Sequence, residues 1–379
     1  MSREIPLFKI HWDEADIVRV SGVIRSGMNW AGGSAVSEFE SALARYVGTR
    51  YAVAFNSGTS ALHATMLAYG FGAGDEVIVP SFTFIATANA PLFVGAKPVF
   101  ADIEETTFGL DAEDVAKRIT KKTKALMPIH YGGFPCRVSE LKELAEENGL
   151  VLIEDAAEAL GAKLEGRMVA SFGVTSILSF CQNKVITTGE GGAVVTDSKD
   201  IYEKLGLIRS HGRAGRDMDY FTAGGADYIA LGYNFRMSTI TAALGLAQLE
   251  KIDKIIEMRR ARAGYLTERL TGIKGLALPT LPPDSFSVYQ MFPVRVSGGR
   301  AVRDRLKKYL AGRGITSRVY FEPVHRAPFY AHKSEFKGVS LPVTEKVSGE
   351  ILCLPIYPAL TKAEMDYIAQ EIRQFFKVG

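Results

Sequence analysis

Residues Ser179-Phe-Cys-Gln-Asn-Lys184-Val-Ile-Thr-Thr-Gly189-Glu-Gly-Gly192 carry one lysine among small and polar residues. Twenty-nine residues upstream of Lys184, Asp155 stands in Ile153-Glu-Asp155-Ala-Ala-Glu158, just after the apolar run Leu150 to Ile153. Pyridoxal phosphate (PLP) chemistry asks for such a pair: a lysine to form a Schiff base with the aldehyde, and an acid to keep the pyridine nitrogen protonated. A protonated ring withdraws electrons and makes a carbanion at an amino-acid α-carbon tolerable. Neither residue is specific alone. A lone lysine in a Gly-rich loop is ordinarily a solvated side chain, and a lone aspartate after a strand is ordinarily a helix cap.

Outward from this stretch, short apolar runs alternate with amphipathic ones. Tyr51–Phe55, Glu76–Pro80, Pro98–Ala101, Ala125–Ile129, Leu150–Ile153, Ser176–Phe180 and Gly192–Thr196 read as strands. Helices are expected over Ser60–Tyr69, Phe84–Phe93, Asp111–Ile119 and Val138–Asn148. Continuous apolar strands separated by amphipathic helices predict an α/β fold, its large domain built on a mainly parallel seven-stranded sheet covered by helices. One long helix is expected to carry Ile240, Ala243, Leu244, Ala247, Ile252, Ile255 and Ile256 near helical spacing. It runs into Glu257-Met-Arg-Arg-Ala-Arg262, which around Arg259 reads most simply as a solvated helix face. The domain boundary is placed there, with residues 1–255 as a large domain with an N-terminal arm and 256–379 as a smaller C-terminal α/β domain. The latter reads as a strand over Tyr289–Val296, a helix over Arg300–Arg313, Pro-rich loops and a closing helix over Lys362–Phe376.

The chain has 379 residues, 47% hydrophobic and 23% charged, enough for a large buried core. A net charge of +3 with no basic tract argues against nucleic acid. Cys136, Cys181 and Cys353 lie far apart, in neither a metal spacing nor a disulfide-dense pattern, which suits a reducing cytoplasm. Residues 1–10 lack the apolar core of a signal peptide, and the weakly polar run Ile85–Ala96 is too short to span a bilayer and contains Asn89, so no membrane association is expected. The histidines are scattered and imply no metal; His130 and His325 read as hydrogen-bonded core residues, although the loop of His325 has a path to the substrate. Gly70-Phe-Gly72-Ala-Gly74 has the wrong spacing and setting for a dinucleotide loop and reads as a helix C-cap and turn. Ser57-Gly58-Thr59 follows a strand and opens a helix, where free N–H groups favour a phosphate, or where Ser57 is a plain N-cap.

Seven blocks occur in order: Asn56–Thr59, Gly74–Pro80, Ser81–Thr87, Gly95–Phe100, Glu154–Glu158, Ser179–Gly192 and Gly232-Tyr-Asn-Phe-Arg-Met237. With them the chain, from about Ile5 to Phe375, resembles the DegT/DnrJ/EryC1/StrS sugar aminotransferases, a branch of the fold-type I, aspartate aminotransferase-like PLP enzymes. The resemblance implies PLP as cofactor, bound by Lys184 and Asp155, with Ser57, Gly58, Thr59 and Ser179 at its phosphate and Asn234 reaching that phosphate from the partner subunit of a homodimer. It implies that Phe84 lays its ring on one face of the cofactor, with Phe82 as the alternative and a core role for Phe84 as the rival reading. It places Glu158 near the phenolic oxygen and Lys184, where a glutamate repels a phenolate unless protonated or swung away.

The implied reaction is transfer of an amino group from glutamate or glutamine to a keto sugar, nucleotide-linked, in amino-sugar and polysaccharide biosynthesis. Lys184 stands where the sugar-dehydrating members have histidine, which favours amination. The segment Ser179–Lys184 departs from the commoner versions and keeps a ketocyclitol or keto sugar acid open as substrate. Two further readings are a non-catalytic regulator on the same fold and an amino-acid decarboxylase or lyase. The loops Arg213–Gly225 and Tyr320–Tyr330 are expected to choose the substrate.

Overall fold

All seven apolar runs enter one sheet. In the computed structural model, which describes residues 4–214 and 227–378, these are β1 (Tyr51–Phe55), β2 (Glu76–Pro80), β3 (Lys97–Ala101), β4 (Thr123–Leu126), β5 (Val151–Asp155), β6 (Thr175–Ser179) and β7 (Gly192–Thr196). Their order is β1-β7-β6-β5-β4-β2-β3. β2 through β6 pair in parallel, while β7 is antiparallel to β6 and to β1. Six strands therefore end on the same edge of the sheet, and short turns there bring their following residues together.

Helices cover both faces, as continuous apolar strands require. One buried layer joins the sheet to α2 (Ser34–Val47) through Phe39 and Leu43, and to α5 (Thr239–Glu250) through Ala242, Leu246 and Leu249. The opposite layer packs α3 (Gly58–Ala68) and α4 (Ile85–Phe93) on Val53, Val77, Val79 and Ile153. A preceding helix, α1 (Glu14–Ser26), packs on α5.

Three local expectations give way. The strand expected over Ala125–Ile129 ends at Leu126, because Pro128 has no N–H to continue the ladder. The chain stays extended, and Pro128 O accepts from Asp155 N–H at 2.9 Å. The expected long helix is two: Lys251 leaves helical dihedrals (φ −112°, ψ 9°) between α5 and α6 (Ile252–Leu270), its ammonium pairing with Asp16 at 2.8 Å. Arg259 is not on a solvated face. It is 3% exposed and donates to Tyr289 O at 2.9 Å and Gln290 O at 2.8 Å, and burial lowers its pKa to about 10.

The C-terminal third carries a second sheet of antiparallel strands β8 (Leu276–Ala277), β9 (Phe292–Val296) and β10 (Ile351–Leu354), in that order. β10 and a helix over Pro342–Glu350 lie where Pro-rich loops were expected; β10 has only four residues, too few to show a period. The closing helix runs over Lys362–Val378. The expected division at 255/256 falls inside α6, where packing passes from Ile252, Ile255 and Ile256 in one core to Ala263, Leu266 and Leu270 in the other. Among the described residues, no helix is long and apolar enough to cross a membrane.

Arg259→Met removes both donors and leaves two buried carbonyls without their partner. Chemical denaturation is expected to show a loss of about 2–4 kcal/mol.

Candidate active site

The carboxyl ends of the parallel strands are where an open α/β sheet forms its crevice. Gly192 pairs with Phe55 on one side and Ser179 on the other, so the turn after β1 lies against the end of β6. The approach is close: a Cβ on Gly192 would lie 2.5 Å from the Ser57 carbonyl, and one on Gly58 would lie 3.1 Å from Ser179 Cβ. Glycine at both positions follows from that contact. Ser57 is the N-cap of α3, its Oγ accepting from Ser60 N–H at 3.0 Å, and Thr59 is exposed in the first helical turn. Ser57, Gly58, Thr59 and Ser179 thus share one corner at a helix N-terminus, where N–H groups favour an anion.

Asp155 ends β5 in the middle of the sheet and is 2% exposed. One carboxylate oxygen accepts from Thr87 Oγ1 at 2.7 Å and the other from Ala157 N–H at 3.2 Å. Burial raises its pKa, only partly offset by these hydrogen bonds. Among the described residues no cation is within ion-pairing distance. A buried carboxylate in that state suits a protonated ring nitrogen. The neighbouring Glu154 points to the opposite sheet face, as alternation requires. There it accepts from His130 Nε2 (3.0 Å), Ala170 N–H (2.8 Å), Gly173 N–H (2.6 Å) and Ser176 Oγ (3.1 Å). Cys136 N–H donates to His130 Nδ1 at 3.2 Å, so the ring proton is on Nε2. His130 is a buried structural residue, as expected.

Lys184 lies in the turn after β6, its side chain 13% exposed. Its Nζ is 3.3 Å from Glu158 Oε1, while Glu158 Oε2 accepts from Gly132 N–H at 2.8 Å. Glu158 is therefore not swung away; Gly132 holds it in place beside the amine. Phe84 is 58% exposed at the start of α4, so the core reading fails for it, whereas Phe82 is fully buried against Tyr131 and Phe108. Phe321 approaches Phe84 with 6.4 Å between centroids, so the loop 320–330 does reach this crevice. In the same loop His325 is buried between Ser81 Oγ (2.7 Å from Nδ1) and Glu345 Oε1 (3.2 Å from Nε2), and burial lowers its pKa. Asn234 is exposed, with its carbonyl accepting from Asn56 Nδ2 at 3.4 Å. Of the other expected substrate loop, Arg213–Gly225, residues 215–225 lie outside the described residues. Among the described residues no cluster could hold a metal.

Thr87, Gly132 and Gln290 were not singled out in the sequence, although each touches this constellation. Thr87 had a signal, because it closes the block Ser81–Thr87; Gly132 and Gln290 had none. The residues present fit PLP on three observations: a buried carboxylate with no ion-pair partner among the described residues, a glycine-lined corner at a helix N-terminus, and a part-buried amine in the turn after β6.

Fold and site define a fold-type I, PLP-dependent aminotransferase. The chain belongs to the DegT/DnrJ/EryC1/StrS aminotransferase family, whose model matches residues 11–373. It is 39% identical over 344 residues to the GDP-perosamine synthase of Caulobacter vibrioides, covering 90% of each chain. The structure of S. venezuelae DesV in complex with a ketimine intermediate superposes with a TM-score of 0.90 at 32% identity, over 99% of both chains. Spr1654 of Streptococcus pneumoniae in its PLP form has a TM-score of 0.91 at 26% identity, over 99% of this chain and 99% of that one.

Two outcomes follow from this geometry. Because the folded state raises the Asp155 pKa, its cost to stability is absent well below the ordinary carboxylate value and grows as pH rises through that value and the raised one. Asp155→Asn should therefore stabilise the cofactor-free protein at pH 7, by on the order of 1 kcal/mol, and flatten its acid-to-neutral profile, while shifting the absorbance band that Lys184 forms with added PLP. Gly192→Ala should weaken PLP binding in a spectral titration and cost about 1–3 kcal/mol in melting experiments, since the Ser57 turn must move.

Proposed function

We propose that this chain transfers an amino group from glutamate or glutamine to a nucleotide-linked keto sugar, with PLP as cofactor, working as a homodimer in the cytoplasm. The observation that carries the reading is Lys184 paired with Glu158 at 3.3 Å, together with a buried Asp155 that makes no ion pair among the described residues. The name of the Caulobacter relative supports the nucleotide sugar. Free Cys136, Cys181 and Cys353 are in keeping with a reducing compartment.

Bound PLP supplies an aldehyde that accepts and returns amino groups and a ring that stabilises negative charge. Asp155, held by Thr87 and Ala157, keeps a proton on the ring nitrogen. Burial of Asp155 strengthens that pairing, because charges attract more in a medium poorer than water. Ser57, Gly58, Thr59 and Ser179 hold the phosphate, with Asn234 supplied by the second copy. Phe84, exposed at the start of α4, covers one ring face. The Lys184 amine would take a proton from the substrate carbon and return it to the carbon on the far side of the imine nitrogen, a general base and then an acid. Glu158 stabilises the ammonium form of Lys184 between these transfers.

The test is an absorbance spectrum of the protein with PLP before and after L-glutamate, with Lys184→Ala alongside. A yellow band present in wild type, absent in the variant and bleached by glutamate is the expected result. A band indifferent to glutamate and glutamine would overturn the donor assignment and favour the amino-acid lyase.

A further inference from the structure

The chain passes from one core to the other through residues 288–292. Val288 is buried in the cluster of Ile252, Ile255 and Ile256, whereas Phe292 belongs to that of Ala263, Leu266 and Leu270. Within this crossing Val288 N–H donates to Gly133 O at 3.2 Å, and Met291 N–H donates to Gly132 O at 3.0 Å. The contact is tight: a Cβ on Gly133 would lie 2.8 Å from Gln290 N and 2.7 Å from Val288 Cγ2. Arg259 sits on α6, which bridges the same two clusters, and clamps this segment through the carbonyls of Tyr289 (2.9 Å) and Gln290 (2.8 Å).

Gln290 is buried, and its Nε2 donates to the carbonyl of Asn183, the residue immediately before Lys184. Gly132, which accepts from Met291, donates its own N–H to Glu158 at 2.8 Å, and Glu158 faces the Lys184 ammonium at 3.3 Å. One segment therefore reaches Lys184 twice. It meets the backbone through Gln290 and Asn183, and the amine through Met291, Gly132 and Glu158. A shift of the segment moves both supports together.

We propose that Gln290, clamped by Arg259, is a positioning residue for Lys184, through which the placement of the small domain sets the geometry of the reactive amine. This rests on Lys184 being the amine that engages PLP. The side chain has a donor aimed at a carbonyl that no strand or helix ladder uses, on the residue bonded directly to the lysine. Reacting atoms must be held near 3–3.5 Å, so a displacement of about 1 Å is enough to slow the reaction severely.

The experiment mixes PLP with cofactor-free wild type, Lys184→Ala, Gln290→Glu, Gln290→Asn and Arg260→Met. It follows the rate at which the yellow band appears, the pH midpoint of that band, and the melting temperature. Gln290→Glu keeps the shape but turns an oxygen toward the Asn183 carbonyl; Gln290→Asn keeps the donor and is one methylene too short. Arg260 donates to Ser287 O, 2.7 Å away and outside residues 288–292, and serves as the control. The expected result is PLP capture slowed by about tenfold or more in both Gln290 variants, with a shifted midpoint. Arg260→Met should lower the melting temperature and leave rate and midpoint unchanged. Folded Gln290 variants with wild-type rate and midpoint overturn the positioning role alone, as does equal slowing in Arg260→Met. If only Gln290→Asn folds, its rate and midpoint decide by the same criteria. A wild type without a band overturns the PLP reading and this inference with it.

Discussion

A carboxylate buried at the end of a central strand, with no ion-pair partner among the described residues, is the constraint around which this site is arranged. Asp155 lies in the middle of the sheet, where neighbouring strands and α4 exclude water, and a hydroxyl and one backbone N–H donate to it. Such a group opposes folding unless something positive joins it. The arrangement makes chemical sense if the positive charge arrives with a ring whose nitrogen must stay protonated. The same burial that opposes a lone carboxylate strengthens its pairing with a cation.

Around that constraint the sheet does two further things. Its single antiparallel strand, β7, brings Gly192 between β1 and β6 and so closes the corner of Ser57, Gly58 and Ser179. Strand alternation sends Glu154 to the other face, where it gathers His130, Ser176 and the amides of Ala170 and Gly173. Burial alone would raise the pKa of Glu154, but these donors hold it below the usual carboxylate range. Two adjacent acids of one strand thus have opposite electrostatic fates. One is fully satisfied by the protein and fastens the sheet to its loops, and the other is left for chemistry.

The strands and the lysine–aspartate pair were legible because each is local: a run of apolar residues, a glycine-rich turn, an acid after a strand. Phe84 and Phe82, two residues apart, show where that legibility stops. Both are aromatic in one block, yet one is exposed at a helix start and the other is buried under Tyr131, a difference made by packing. Arg259 shows it from the other side. In a run of charged residues it has the look of a solvated helix position, but α6 turns it toward two carbonyls some thirty residues further along the chain.

The amino-acid sequence by itself determined the α/β class, the seven strands and the family resemblance, and singled out Lys184 and Asp155 as candidates, because periodicity and short blocks are properties of neighbouring residues. Tertiary structure alone decided that Glu158 is held by Gly132 against Lys184, that Gln290 reaches the Asn183 carbonyl, and that α6 and residues 288–292 connect two cores. Those contacts join residues more than twenty positions apart. They exist only because strand order and helix packing bring the carboxyl ends of β5 and β6 beside the passage into the small domain, and no local pattern encodes that distance.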